Sequence, residues 1–169
     1  MPQELLVLNQ VHKHYGEGDA RVQVLKEISI RVKAGEFASL IGASGSGKSS
    51  LLNILGLLDR PSQGEYFLNG EEVSRLDDDR LSSIRNREIG FIFQSFNLIP
   101  QLTVLENVEV PLFYAQSLRS ERKKVAQHFL ERVGLSHRLH HIPNQLSGGE
   151  QQRVAVARVN KELQIRSGQ

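Results

Sequence analysis

Cysteine is absent from all 169 residues. That excludes a disulfide framework and a thiolate metal site, and it fits a reducing compartment. No run approaches the ~18 consecutive apolar residues of a membrane span. Met1-Pro2-Gln3-Glu4 lacks the positive segment and long apolar stretch that open a signal peptide. Excess charge is missing too: 21 basic against 19 acidic residues give a net +2. That balance argues against a nucleic-acid-binding surface. No internal repeat or low-complexity linker interrupts the chain. The expectation is a soluble protein whose membrane association, if any, comes through a partner. What is present is ordinary for one domain with a sizeable core: 39% hydrophobic residues and 14 glycines.

Patterning predicts an α/β order. Leu5 to Val11 and Ile28 to Val32 read as strands, with Lys33-Ala34-Gly35-Glu36 as a turn. Phe37 to Ile41 is a short apolar run leading into a Gly-rich loop. Lys48 to Leu58 follows with leucines at helical spacing. Glu65 to Val73 reads as a hairpin with Asn69-Gly70 at its tip. Asp78 to Arg87 is expected to be helical, and Ile89 to Phe93 a buried strand ending at Gln94. Thr103 is placed to cap a short helix through Val108 that stops before Pro111. Ser120 to Val133 is amphipathic, with Val125, Phe129 and Val133 on one face, and Gly134 ends it. Glu150 to Val159 is predicted helical, with Ser147-Gly148-Gly149 at its start.

Two stretches carry chemistry. Gly42-Ala43-Ser44-Gly45-Ser46-Gly47-Lys48-Ser49 fits a phosphate-binding loop. Gly42 and Gly47 allow backbone angles closed to other residues. Successive N–H groups can then face a polyphosphate, helped by the positive end of the next helix. Lys48 would bring a compact charge to the β- and γ-phosphates, and the Ser49 hydroxyl would ligate Mg2+. The bland alternative is a chance Gly-rich turn. The second stretch is Leu146-Ser147-Gly148-Gly149-Glu150-Gln151-Gln152-Arg153. Its glycines let a phosphate approach the backbone, and Ser147 is a donor at a helix start. Its alternative is a helix N-cap with a flexible Gly pair. If Lys48 holds one ATP, the simplest use of a second phosphate site is another subunit's ATP in a two-fold dimer.

Weaker candidates surround these. Gln94 could touch Mg2+ or orient water, or be an ordinary loop residue. Tyr15 could stack on adenine, or simply pack. Asp77-Asp78-Asp79 reads as a helix start favoured by the dipole rather than a metal site. His137, His140 and His141 read as a solvated loop. Arg119, Arg122, Lys123 and Lys124 read as a solvated helix face, or else as a contact near anionic lipid.

Taken together these residues resemble the ATP-binding subunits of ABC transporters, over roughly residues 5 to 158. Gly42 to Ser49 stands for the Walker A motif, Gln94 for the Q-loop, Leu146 to Gln152 for the signature, and Tyr15 for the adenine-stacking aromatic. Lys48 and Ser147 lie about 100 residues apart with no long coiled coil between them, unlike the DNA-repair relatives. Leu51 to Pro61, Ile84-Arg85-Asn86, Ile89 to Gln94 and Phe96 to Pro100 look like the lipoprotein-release and macrolide-export branch.

The resemblance implies a P-loop NTPase with an antiparallel β-subdomain and a helical subdomain, spanning residues 1–169 as a single domain. It implies ATP and Mg2+ as cofactors. Nucleotide contacts would come from Tyr15, Gly42, Ala43, Ser44, Gly45, Ser46, Gly47, Lys48, Ser49 and Ser50. Metal contacts would come from Ser49 and Gln94, and catalytic roles fall to Lys48 and Gln94. Ser147, Gly148, Gly149 and Glu150 would meet the partner's nucleotide. Implied partners are a second copy and a transmembrane permease contacted between Gln94 and Ser147, at the cytoplasmic face of a bacterial inner membrane; none is a nucleic acid.

Only a short segment follows the signature, and it departs from the family. The Asp-Glu strand, Asp loop and switch His are not in this sequence. The last Asp is Asp79, the last His is His141, and Glu162 is the sole acid after Glu150. The expectation is a C-terminally truncated cassette, its core incomplete, lacking the Walker B, D-loop and switch-His region and poorly soluble alone. Loss of a general base costs about 10²–10⁴ in rate. Three readings stand: an ABC ATPase subunit, a nucleotide- or permease-binding fragment without turnover, and a phosphate-loop kinase or GTPase. The signature speaks against the last, as does the lack of a guanine-reading Asn-Lys-x-Asp; Asn160-Lys161-Glu162-Leu163 ends on Leu.

Overall fold

The computed structural model describes residues 4–114 and 119–159, with Arg119 and Ser120 described by backbone only. Asn160 to Gln164 and the acid Glu162 lie outside the described residues. The chain divides into two compact units after Ser83.

The first unit is built on a four-stranded antiparallel sheet ordered β2-β1-β3-β4. Strands β1 (Glu4–Tyr15) and β2 (Val22–Lys33) run well beyond the expected Leu5 to Val11 and Ile28 to Val32. The alternation on which the shorter prediction rested is broken in mid-strand. Asn9 and Gln10 together face Ser29, because the register passes from Leu8↔Ile30 to Val11↔Ile28. Gln10 adopts φ 47° and donates both its amide and its side-chain NH2 to the Ser29 hydroxyl, at 3.0 and 3.2 Å. A second irregularity follows at Glu27, φ 53°. These bulges flip the inward face and hide the period of two.

The predicted hairpin is present as β3 (Gln63–Leu68) and β4 (Glu71–Glu72). Asn69 and Gly70 take φ 51° and 81° at its tip, as a two-residue turn between twisted strands requires. Gly64 lies against the β1 bulge: a Cβ there would sit 2.7 Å from the Asn9 carbonyl oxygen.

Helix α1 (Lys48–Leu55) packs Leu51 and Ile54 into the sheet's core with Leu8, Val11, Leu25 and Tyr66. It ends at Leu55, three residues before the predicted Leu58, and Leu58 is exposed. The Tyr66 hydroxyl donates to the Leu55 carbonyl at 2.8 Å and closes the α1 C-terminus. Burial pushes the Tyr66 pKa up. Asp77 accepts the Arg80 amide at 2.7 Å and caps α2 (Asp78–Glu88), while Asp78 pairs with Arg60. The three acids are therefore a helix start, and among the described residues no cluster has metal-ligand geometry.

The second unit is helical. Helices α3 (Val104–Tyr114), α4 (Arg119–Arg132) and α5 (Gly148–Val159) share a core of Val104, Val108, Leu112, Ala126, Phe129, Leu130, Leu135 and Val154. Thr103 caps α3 reciprocally with Glu106: each main-chain amide reaches the other's side chain. The helix runs through Pro111 instead of stopping before it. A proline there removes one intrahelical bond, and burying Leu112 beyond it offsets the loss. Buried Asn107 holds the entry loop, accepting the Ile99 amide and donating to the carbonyls of Ile99, Leu102 and Thr103 at 2.8–3.1 Å.

The predicted strand Ile89 to Phe93 is not a strand, and the apolar run before the Gly-rich loop is irregular too. Phe37 to Ile41 and Ile89 to Phe93 have no regular structure. Phe37 and Ile41 are 93% and 90% exposed, and Ile92 is 54% exposed. A strand exists only where a second backbone supplies its hydrogen-bond partners, and among the described residues neither run pairs in a sheet.

Candidate functional site

The Gly-rich loop is the first site. Gly45 and Gly47 take φ 78° and 85°, the left-handed region open to glycine. Gly42 does not share it; what it needs is room, since a Cβ would lie 2.8 Å from the Ser46 hydroxyl. Gly47 is the residue before α1. It presses on β2 so closely that a Cβ would meet Leu25 Cδ2 at 2.8 Å and the Val24 carbonyl oxygen at 2.9 Å. The loop is thereby fastened to the sheet.

The first amides of α1, from Lys48, Ser49 and Ser50, have no partner within the helix by geometry and sit at its positive end. Lys48 Nζ folds back over the loop and donates to the carbonyls of Gly42 and Ala43 and to Ser46 Oγ. An ammonium on three uncharged oxygens, at an exposed loop, exchanges readily for an anion. Ala43, Ser44, Gly45 and Ser46 are exposed, as is Ser49. The loop thus brings a helix N-terminus and one cation together with exposed backbone. That donor set suits a polyphosphate. The Ser49 hydroxyl beside them is the hard oxygen that Mg2+ takes.

Tyr15 closes β1 opposite Val22. The residue is 41% exposed. The hydroxyl donates to Asp59 Oδ2 at 2.7 Å, and Lys13 Nζ lies 4.8 Å from the ring centroid. Lys13 is buried and donates to Asp59 Oδ1 at 2.5 Å and to the Arg60 carbonyl at 2.8 Å. Partial burial works against the Asp59 carboxylate, but hydrogen bonds from Lys13, Tyr15 and the Arg60 amide outweigh it and hold its pKa below the ordinary value.

In the second unit, Ser147 precedes α5 and Glu150 occupies its third position. Ser147 donates its amide and hydroxyl to Glu150 Oε2 at 2.8 and 2.7 Å, and the Glu150 amide donates back to Ser147 Oγ at 3.4 Å. This is a capping box, so the helix-cap alternative describes the local geometry. Gly148 and Gly149 lie exposed at the same helix end. Hydrogen bonds from Ser147, with Arg138 alongside at 3.2 Å, hold the Glu150 carboxyl down at about 2.

Gln94 is exposed in the irregular segment. Two residues on, Phe96 and Asn97 take φ 59° and 47° in succession, a strained pair for side-chain-bearing residues. Arg158, at the far end of α5, donates to both their carbonyls at 2.8 and 2.7 Å. The segment carrying Gln94 is thus pinned to the helix that begins at Ser147.

Sequence reasoning missed Lys13, Asp59, Arg138 and Arg158. Lys13 alone had a local signal, standing two positions before Tyr15 and hence on the same strand face. The other three meet their partners across loops.

Comparison with known proteins follows this geometry. The family profile described as "ABC transporter" matches residues 25–162. An ABC transporter ATP-binding protein of Thermotoga maritima is 56% identical over 155 residues, which is 92% of this chain and 66% of that protein. A macrolide export ATP-binding/permease protein of a Shewanella species is 49% identical over 158 residues, 94% of this chain but 24% of the other. The chain therefore spans just under two thirds of the first relative and about a quarter of the second. A dimeric ATP-binding cassette, solved in a post-hydrolysis state with ADP and Pi, superposes with a TM-score of 0.83 at 47% identity, covering 92% of this chain and 69% of that one. A second dimeric structure, described as a bacterial ABC transporter cassette, gives 0.82.

Proposed function

The chain belongs to the ABC transporter ATP-binding family, and on that premise we propose that it is the nucleotide-binding part of a bacterial exporter. It binds ATP with Mg2+, pairs with a second copy, and couples ATP binding and hydrolysis to a permease. The cargo class is macrolides or related compounds, or lipoproteins released from the inner membrane. Export of macrolides is favoured by the names of relatives about half identical to this chain. The protein would work at the cytoplasmic face of the inner membrane. Among the described residues no helix is long and apolar enough to cross a bilayer.

One observation carries the reading: Gly45 and Gly47 adopt the left-handed region just ahead of α1, and Lys48 at the start of that helix folds over the carbonyls of the same loop. When bound, ATP–Mg2+ supplies the phosphoanhydride bond and the divalent charge that draws electrons from it. The chain's own residues bind and orient. Lys48 leaves the loop carbonyls and neutralises phosphate charge. Ser49 offers oxygen to the metal. Tyr15 stacks on the base. Ser147 turns its O–H from Glu150 towards the partner's phosphate, while the Gly148 and Gly149 amides approach it.

Isothermal titration of the chain with ATP in Mg2+ tests this. Lys48→Ala removes a charge-assisted contact, so its affinity should fall about tenfold or more. Equal affinity in Lys48→Ala and wild type would place the nucleotide elsewhere.

A further inference from the structure

Tyr15 is held from two sides, and neither hold is needed to build the strand that carries it. Its hydroxyl is tied to Asp59 Oδ2 at 2.7 Å. One ring face lies over the Lys13 ammonium, 4.8 Å away. Lys13 is locked to the other Asp59 oxygen and to the Arg60 carbonyl. The Arg60 amide donates to Asp59 Oδ1 at 2.7 Å and fixes the carboxylate in turn. Tyr15 stays exposed in this arrangement, so surface remains for a stacking partner.

The ring also stands in the right place. Tyr15 pairs with Val22 and Lys13 with Leu25, and Gly47 of the phosphate loop presses on Val24 and Leu25. Ring and loop thus border the same few residues of β2, roughly 10 Å apart at about 3.3 Å per residue. One nucleotide can span that.

We propose that Lys13 and Asp59 are positioning residues that pre-set the Tyr15 ring for stacking on the base of the bound nucleotide. The inference rests on the ATP-binding reading above. A free tyrosine must surrender rotamer freedom when a base lands on it, which costs about twofold to tenfold in affinity. A ring already fixed by Asp59 and Lys13 has surrendered it in advance. A purely structural role, stapling β1 to the loop after α1, predicts no preference for a ligand that carries a base.

The test compares ATP with inorganic tripolyphosphate, which has the phosphates and no base. Both are titrated in Mg2+ against wild type, Tyr15→Ala, Tyr15→Phe, Asp59→Asn and Lys13→Met. Tyr15→Phe keeps the ring and loses only the tether at an exposed atom, so it reports even if the Lys13 variant folds poorly. The expected result is an ATP affinity about twofold to tenfold weaker in Tyr15→Phe and Asp59→Asn, with tripolyphosphate unchanged. If both ligands weaken equally, the cluster is a staple and the proposal is overturned. If Tyr15→Ala weakens ATP while Tyr15→Phe and Asp59→Asn match wild type, positioning alone fails and stacking stands. If Tyr15→Ala binds ATP like wild type, stacking and positioning fall together. If wild type binds neither ligand, the ATP-binding reading falls with them.

Discussion

Asn107 shows how much one side chain can hold. It is fully buried and completes one backbone amide and three carbonyls between Ile99 and Thr103. Asn107→Ala would leave those groups unmet away from water, so we expect a loss of about 2–4 kcal/mol. Urea unfolding checks it: the midpoint should drop at unchanged slope. Legibility at this scale follows the range of the interaction. Lys48 and Ser147 stood out because neighbouring glycines form a recognisable local pattern. Asn107 and Arg158 did not. Asn107 lies inside an otherwise helical stretch, and Arg158 meets carbonyls about 60 residues away. A lone polar residue in an amphipathic run carries no sign of what it will meet.

Helices α3 and α5 begin the same way, with a hydroxyl residue and a glutamate three positions on: Thr103 with Glu106, Ser147 with Glu150. Both carboxyls are held below their ordinary pKa, Glu106 chiefly by the Thr103 amide and Glu150 chiefly by the Ser147 hydroxyl. A carboxylate depressed by folding stabilises the fold fully above its unfolded pKa, and that contribution fades as pH falls towards the folded value. For Glu150 the window runs from 4.5 down to about 2. Acid should therefore loosen the start of α5 between those limits. Helical circular dichroism at pH 5 and pH 3 checks this: wild type should lose signal that Glu150→Gln, already without the charged cap, does not lose to the same extent. An equal loss in both would assign the acid effect elsewhere. The capping boxes were readable from the sequence in part, Thr103 as a cap and Ser147 as a helix start. The extension of α3 through Pro111 was not, because proline's local penalty was visible and the burial of Leu112 was not.

Across the whole molecule, the elements that matched expectation close their own hydrogen bonds: the hairpin at Asn69-Gly70 and the helices α2, α4 and α5. The irregular runs, Phe37 to Ile41 and Ile89 to Phe93, need a second backbone that their own sequence cannot specify. The consequence is apolar surface at Phe37, Ile41 and Ile92. The chain should self-associate in proportion to concentration. Phe37→Ser with Ile41→Ser should lower light scattering and hydrophobic-dye binding while leaving far-ultraviolet circular dichroism in place. Scattering unchanged by the double substitution would mean that these side chains are not the adhesive surface.

The double bulge at Gln10 and Glu27 gives that stickiness a definite character. Strand β2 is twelve residues long and ends the sheet on one side, the shape on which a foreign strand would add. Its register is interrupted opposite Gln10 and again at Glu27, and Lys26, Arg31 and Lys33 stand exposed along it. A repeating ladder cannot propagate past a kinked and charged margin. The sheet edge therefore resists a foreign strand, and any clusters that form through Phe37 and Ile41 are expected to be disordered rather than filamentous.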